Sequence, residues 1–185
     1  MTDNRAPAPI VLHEPPQPFE TRAQLWRDPD WQRLWLSVLK RSWSSLALVP
    51  ASPGAPPDFM LSVAVNLARI GLLHLGIPIQ VADGTHIPLM HLAQFQAEMS
   101  RLKGDKELVL LALAPVNENP ITVPLAQSAD AAVLCVVLEL MSFSQSKKTV
   151  ERIGAQRFLG SAIFHPHESP VVDNAAAKPP LSGTR

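Results

Sequence analysis

The chain of 185 residues contains no tyrosine, one cysteine and no excess of either charge. Without tyrosine it cannot be phosphorylated on that residue. With only Cys135 it cannot form a disulfide within itself, which is typical of cytoplasmic proteins. The 16 basic residues are balanced by 16 acidic ones, so the chain lacks the basic field that attracts nucleic acid. These absences argue against a disulfide-stabilised scaffold and against a nucleic-acid-binding protein.

Long apolar segments are also missing. No run reaches the roughly 20 residues that a membrane-spanning helix needs, and the first residues have no apolar core of signal-peptide length. Apolar residues nevertheless make up 46% of the chain, which is enough for one domain with a real core. We therefore expect a cytoplasmic protein that can associate peripherally with the inner membrane through a partner.

Proline divides the chain into a central domain and two ends. Residues 1–24 and 166–185 are rich in proline and poor in bulky apolar side chains. Proline removes a backbone donor and fixes φ, so neither end can propagate a helix or a strand ladder. We expect both ends to be disordered and residues 25–165 to form the folded domain.

Short apolar runs alternate with helical patterns in the central domain. Strands are predicted at 45–49, 77–81, 107–116, 131–140 and 159–165. Helices are predicted at 59–75, 88–102 and 144–158. The runs at 107–116 and 131–140 are nearly continuous, as in strands that are buried on both faces. The alternation predicts an α/β fold of three layers, with a mainly parallel sheet flanked by helices.

A tryptophan-rich helix precedes the first of these strands. Trp31, Trp35 and Leu39 are spaced four apart and form one stripe of a helix that begins near Asp30. Such a stripe can pack on its own domain, or it can bind a partner, since tryptophan offers a large contact area. For the second alternative the partner-binding set is Trp26, Trp31, Trp35 and Leu39.

Several short sequence segments occur in the same order as in a known family. The segments are SLALVPASPG, VNLA, IGLLHLGIPIQVADGTHIPLMH, ELVLLALAPV and SADAAVLCVV. In this order the chain resembles the cytoplasmic P-loop ATPase domain of bacterial polysaccharide tyrosine kinases, which are relatives of the MinD and ParA ATPases. The resemblance covers about residues 28–165. It implies a P-loop NTPase-like fold of the MinD/ParA type.

The phosphate-binding loop of that family lacks its chemistry here. When the chains are aligned through VNLA, the loop's lysine falls on Met60 and its metal-binding hydroxyl on Leu61. When they are aligned through the Ser-Pro-Gly at 52–54 instead, the lysine falls on Pro57. A P-loop needs backbone N–H groups and one lysine aimed at the phosphates. Prolines remove such donors, and Asp58 adds a like charge.

The remaining catalytic positions fail independently. The resemblance places the family's metal-organising aspartate on Ala112, which cannot hold Mg²⁺. Asp83 is the one acid kept nearby, and it also fits a tight turn in ADGT. The family's assembly motif survives only as Asp30 and Arg33, and its tyrosine-rich tail has no counterpart. The degenerate nucleotide site is therefore predicted to comprise Ser52, Gly54, Asp58, Ser62, Asp83 and Ala112.

These departures predict a protein without catalytic residues, without a metal site and without ATP–Mg²⁺ binding. Histidines such as His86 and His91 lack the spacing of a metal site. We expect a regulatory or scaffolding component of exopolysaccharide or capsule synthesis or export. Its partner would be an inner-membrane protein of the chain-length-regulator type or another export component, with self-association as a further option.

Two alternatives stay open. One is a divergent ATPase or tyrosine kinase whose lysine comes from elsewhere, such as Lys147 or Lys148. The other is a MinD-like positioning or secretion accessory protein, also without catalysis.

Overall fold

The computed structural model describes residues 12–13, 28–56, 58–104, 107–140 and 142–165. The strands in these ranges are β1 (Leu12–His13), β2 (Ser45–Pro50), β3 (Ile79–Gly84), β4 (Leu108–Leu113), β5 (Ala131–Val137) and β6 (Phe158–Phe164). The helices are α1 (Pro29–Val38), α2 (Phe59–Leu75), α3 (Leu92–Gly104), α4 (Thr122–Ser128) and α5 (Phe143–Ile153). Single 3-10 turns precede α3 and β6.

The strands form one sheet in the order β1-β3-β4-β2-β5-β6. Strands β2 to β6 run parallel to one another, and β1 pairs with β3 in the antiparallel direction. Helices lie between successive parallel strands along the chain, as the right-handed crossover between such strands requires. The predicted α/β fold with a mainly parallel sheet flanked by helices is confirmed.

Strand β1 falls within the end that the sequence predicts to be disordered. Leu12 pairs with Ala82 and His13 with Val81, so these two residues extend the sheet. The rest of residues 1–24, and all of 166–185, lie outside the described residues. The prediction of disorder is therefore corrected for Leu12 and His13 only.

The sheet is covered on both faces, and the alternation of β2 shows how. Leu46 and Leu48 pack into a core shared with α1 and α2. Ala47 and Val49 pack into a second core, shared with α3, α4 and the end of α5. All four of these side chains are fully buried. A central strand that is covered on both faces has apolar residues on both sides, which gives a continuous apolar run in the sequence.

Local chemistry fixes the helix ends. Asp28 precedes α1, and its carboxylate accepts a hydrogen bond from the Asp30 backbone N–H at 2.8 Å, which satisfies one free donor of the first turn. Helix α2 ends at Gly76, whose φ of 72° lies in the left-handed region that glycine adopts without a steric penalty. None of the helices in the described ranges is long and apolar enough to cross a membrane.

Asp130 ties the amino-terminal ends of β2 and β5 to the carboxyl-terminal end of α3. Its carboxylate accepts hydrogen bonds from the backbone N–H groups of Ser44 and Ser45, both at 2.9 Å, and from the Lys103 ammonium at 2.8 Å. Burial acts to raise the pKa of Asp130, but the bonds from Lys103 and the two serines outweigh it and hold that pKa below its usual value. This contact lies at the edge of the sheet opposite to the candidate site described next.

Candidate functional site

The strand order creates a topological switch point at one edge of the sheet. The chain leaves β2 toward the face covered by α2, whereas it leaves the neighbouring strands β4 and β5 toward the opposite face. In open α/β sheets, ligands bind at such a switch point, outside the carboxyl ends of the strands. The candidate site is therefore the carboxyl edge, defined here as the ends of β2–β6 together with the loops that follow them.

The loop that follows β2 is held against the sheet but carries no cation. The Ala51 backbone N–H donates to the Cys135 carbonyl at 2.8 Å, and Ser52 is buried. Gly54 has a φ of 91° and lies at the exposed tip. Pro53 and Pro56 cannot donate backbone hydrogen bonds, and Pro57 lies outside the described residues. The loop thus offers few of the N–H groups that cradle a phosphate.

The first turn of α2 is also unsuited to an anion. Asp58 stands exposed at its amino-terminal end, where it adds negative charge. Met60, which occupies the lysine position of the resembled family, is 3% exposed and belongs to the core between α2 and the sheet. Ser62 lies one residue beyond Leu61, which occupies the position of the family's metal-binding hydroxyl. The Ser62 backbone N–H donates a hydrogen bond to the Asp58 carbonyl at 2.9 Å. A helix start attracts anions only if its free N–H groups are not opposed by a carboxylate.

The sheet brings Asp83 and Ala112 side by side. The two residues are direct partners in the register of β3 and β4, and Ala112 is fully buried. The Asp83 carboxylate accepts from the Thr85 backbone N–H at 2.9 Å and from the Thr85 hydroxyl at 2.6 Å. These bonds are the ones expected of an aspartate that holds a turn. They leave the acid engaged within its own loop.

Exposed apolar side chains follow two other strands, β3 and β5, at the carboxyl edge. Leu89 and Met90, in the turn after β3, are 73% and 82% exposed, and Phe143, at the start of α5, is 78% exposed. Leu140, just before it, is 40% exposed. We call these four residues the edge apolar residues. The sequence reading missed them, because Leu140 falls in a run predicted to be a strand and Leu89 and Met90 lie in a pattern predicted to be a helix.

Isolated exposed apolar residues are common and need no explanation, whereas exposed apolar residues that share one surface often mark a binding surface. The edge apolar residues follow β3 and β5 at the same edge of the sheet as the loop after β2, which contains neither lysine nor arginine. The alternative source of a cation, Lys147 or Lys148, is exposed on α5. Nζ of Lys147 lies 3.8 Å from Oε1 of Glu151, one turn further along the helix. Within the described ranges, no group of three or more metal-ligating side chains is found.

The tryptophan stripe divides between core and surface. Trp35 is 1% exposed and lies edge-on to Trp43, so it packs on its own domain, and its assignment to a partner-binding surface is corrected. Trp31 is half-buried against Phe164, with ring centroids 6.1 Å apart. Leu39 is 36% exposed. Trp26 lies outside the described residues.

A scan against models of known protein families and searches of curated proteins and of solved structures each found no match to the chain.

Proposed function

We propose that the chain is a non-catalytic relative of the P-loop ATPases of MinD/ParA type. It would regulate or scaffold exopolysaccharide or capsule synthesis or export by binding an inner-membrane partner. The order of the sequence segments supports the relationship. The parallel sheet, with α2 following its central strand, is compatible with it. The observation that carries the non-catalytic part is Met60, a core side chain at the position of the phosphate-binding lysine.

Three features at the carboxyl edge together disfavour nucleotide binding. Met60 supplies no positive charge, Ala112 supplies no oxygen for the metal, and Asp58 would face the phosphates. A carboxylate and a phosphate held about 4 Å apart repel each other even at the effective dielectric of a protein surface. Mg²⁺ cannot relieve this repulsion without protein oxygens that position it.

We therefore expect ATP with Mg²⁺ to bind no better than with a millimolar dissociation constant. Isothermal titration calorimetry on the full chain measures this directly. A useful control is Asp58→Asn, which removes the opposing charge but supplies no cation, so it should bind no better than millimolar either. A micromolar constant for the unchanged chain would refute the non-catalytic proposal and favour the divergent ATPase.

The edge apolar residues are the proposed contact for the partner. Phe143 and Met90 are the most exposed of them, at 78% and 82%, so their replacement removes little packing within the domain. An aspartate placed in an apolar contact must be desolvated when the partner binds, which is costly without a paired cation. The partner contact should therefore be sensitive to a single charge at either position.

Deletion of the gene in its host should change the amount or the chain length of the secreted polysaccharide. The unchanged gene should restore both, whereas the genes for Phe143→Asp and Met90→Asp should not, although both proteins accumulate folded. Leu36→Asp on α1 is the matched control, because Leu36 is 58% exposed but belongs to another surface, and it should restore the polymer. A normal polymer in the deletion strain would contradict the role in polysaccharide export.

A further inference from the structure

The last strand of the sheet has an edge without the usual protection. Within the described ranges β6 pairs only with β5, and its sequence, FLGSAIF, contains neither charge nor proline. Exposed edge strands generally carry lysine or proline, or are covered by other elements, since their free backbone groups pair with strands of other molecules. The outer edge of β6 is thus a candidate interaction surface.

One hydrogen bond fixes the direction in which the backbone groups of β6 point. The Leu138 N–H donates to the Phe164 carbonyl at 2.9 Å, so the backbone groups of Phe164 face β5. Because this direction alternates along a strand, the groups of Ala162 also face β5, and those of Ser161 and Ile163 face the outer edge. The side chains of Ser161 and Ile163 are exposed as well, the latter at 62%.

We propose that a second copy of this chain pairs with the outer edge of β6, antiparallel, about a twofold axis that passes at Ala162. In this register Ser161 lies opposite Ile163 of the second copy, and the reverse pair follows by symmetry. Each pair exchanges two backbone hydrogen bonds, since both residues direct their N–H and C=O groups outward. The two sheets become one continuous sheet across the axis.

The side chains fit this register on both faces of the joined sheet. On one face the small Ser161 lies beside the branched Ile163 of the other copy. On the other face Gly160 lies opposite Phe164, and a Cβ added to Gly160 would meet no atom of the described residues within 4 Å. A glycine with open space across from an aromatic ring is a favourable cross-strand pair.

A second copy is the occupant that this edge fits best. The axis at Ala162 makes the segment complementary to itself, which an isologous contact requires. The balanced charges, 16 of each sign, give no net repulsion between copies. A register shift of β6 against β5 between Ala132 and Val133 leaves only the stretch from Gly160 onward in regular pairing. The contact is therefore smaller than the interfaces of stable dimers, and the dimer is weak, with a micromolar or higher dissociation constant.

Sedimentation velocity over a concentration series tests the proposal on the full chain. The unchanged chain is expected to move from monomer to dimer, and Ile163→Lys to weaken this association about tenfold or more, because a lysine on an edge strand opposes pairing. Ile77→Lys, the same change at a side chain that is 48% exposed and lies just before β3, on the far side of the sheet from β6, should associate as the unchanged chain does. A chain that stays monomeric throughout the series, or association that is lost in Ile77→Lys and kept in Ile163→Lys, overturns the proposal.

Cysteine cross-linking tests the register itself. Opposite residues in a hydrogen-bonded antiparallel pair have Cα atoms about 5.5 Å apart, within the range that a disulfide spans. Chains carrying Ser161→Cys, mixed with chains carrying Ile163→Cys and oxidised, should form the mixed disulfide in preference to either homodimer. Cys135 does not compete, because it is fully buried and burial raises the pKa of its thiol to about 12. The yields of random pairing, with the mixed species only twice as abundant as each homodimer, would rule out the twofold at Ala162.

Discussion

Replacement of Trp35 by alanine is expected to lower the free energy of unfolding by about 3–5 kcal/mol, the usual cost of removing a buried large aromatic side chain. Trp35 is 1% exposed. Its ring lies edge-on to Trp43 with centroids 6.5 Å apart, and to His74 with centroids 6.3 Å apart. A loss of this size is a large part of the 5–15 kcal/mol that holds a typical domain together.

Urea unfolding followed by far-ultraviolet circular dichroism measures this effect, with Leu36→Ala as the control. Leu36 is the next residue of α1 and is 58% exposed, so its truncation should change stability by less than about 0.5 kcal/mol. A Trp35→Ala protein with an unchanged unfolding midpoint would show that this indole does not support the core. The partner-binding hypothesis for Trp35 would then regain support.

Gly71→Val should lower the free energy of unfolding by about 3 kcal/mol. Gly71 lies in α2, where α1 and β3 approach it. A Cβ at this position would collide with Cδ1 of Ile79 and would lie 2.7 Å from the Trp35 ring. The glycine therefore lets α1 and β3 come close to α2, and a valine must push them apart.

The collision can be relieved by a compensating change. Ile79→Ala alone removes three carbons and should cost about 2–5 kcal/mol. Gly71→Val adds three carbons at the same place, so the double variant approximately conserves core volume, which cores tolerate best. In a double-mutant cycle by urea unfolding, the double variant should lose less free energy of unfolding than the sum of the two single losses. We expect the difference to be about 1 kcal/mol or more. Strict additivity would mean that the two side chains do not share this space.

Helix α2 and the α/β class were predictable because their signals are local. The apolar run of α2 has a defined stop at Gly76, and the predicted bounds agree with Phe59–Leu75. Strand β3 was predicted two residues too early, at Ile77, which proves to be 48% exposed. The strand continues to Gly84 because Gly84 pairs with Leu113 of β4, and such a pairing leaves no mark in the sequence of either strand.

Helix α4 could not have been predicted from its own residues. Its seven residues include Pro124, and an isolated helix of this length is not stable in water. Packing holds it in place, since Leu125 and Ala126 are fully buried and the Thr122 hydroxyl donates to the Ala114 carbonyl at 2.9 Å. At the carboxyl edge, likewise, the sequence showed which residues were missing from the site. Only the fold showed that exposed apolar side chains lie at the same edge of the sheet.

The central position of β2 has a consequence for the way the chain is made. Ser45 and Asp130, which meet at the start of β2 and β5, are 85 positions apart. At a synthesis rate of 5–20 residues per second, the ribosome needs about 4–17 s to cover that distance. Throughout that interval β2, which will be buried on both faces, is without its partner β5. The nascent chain therefore leaves one edge of this buried strand unpaired for seconds, and chaperone supply and translation rate should govern how much folded protein a cell obtains.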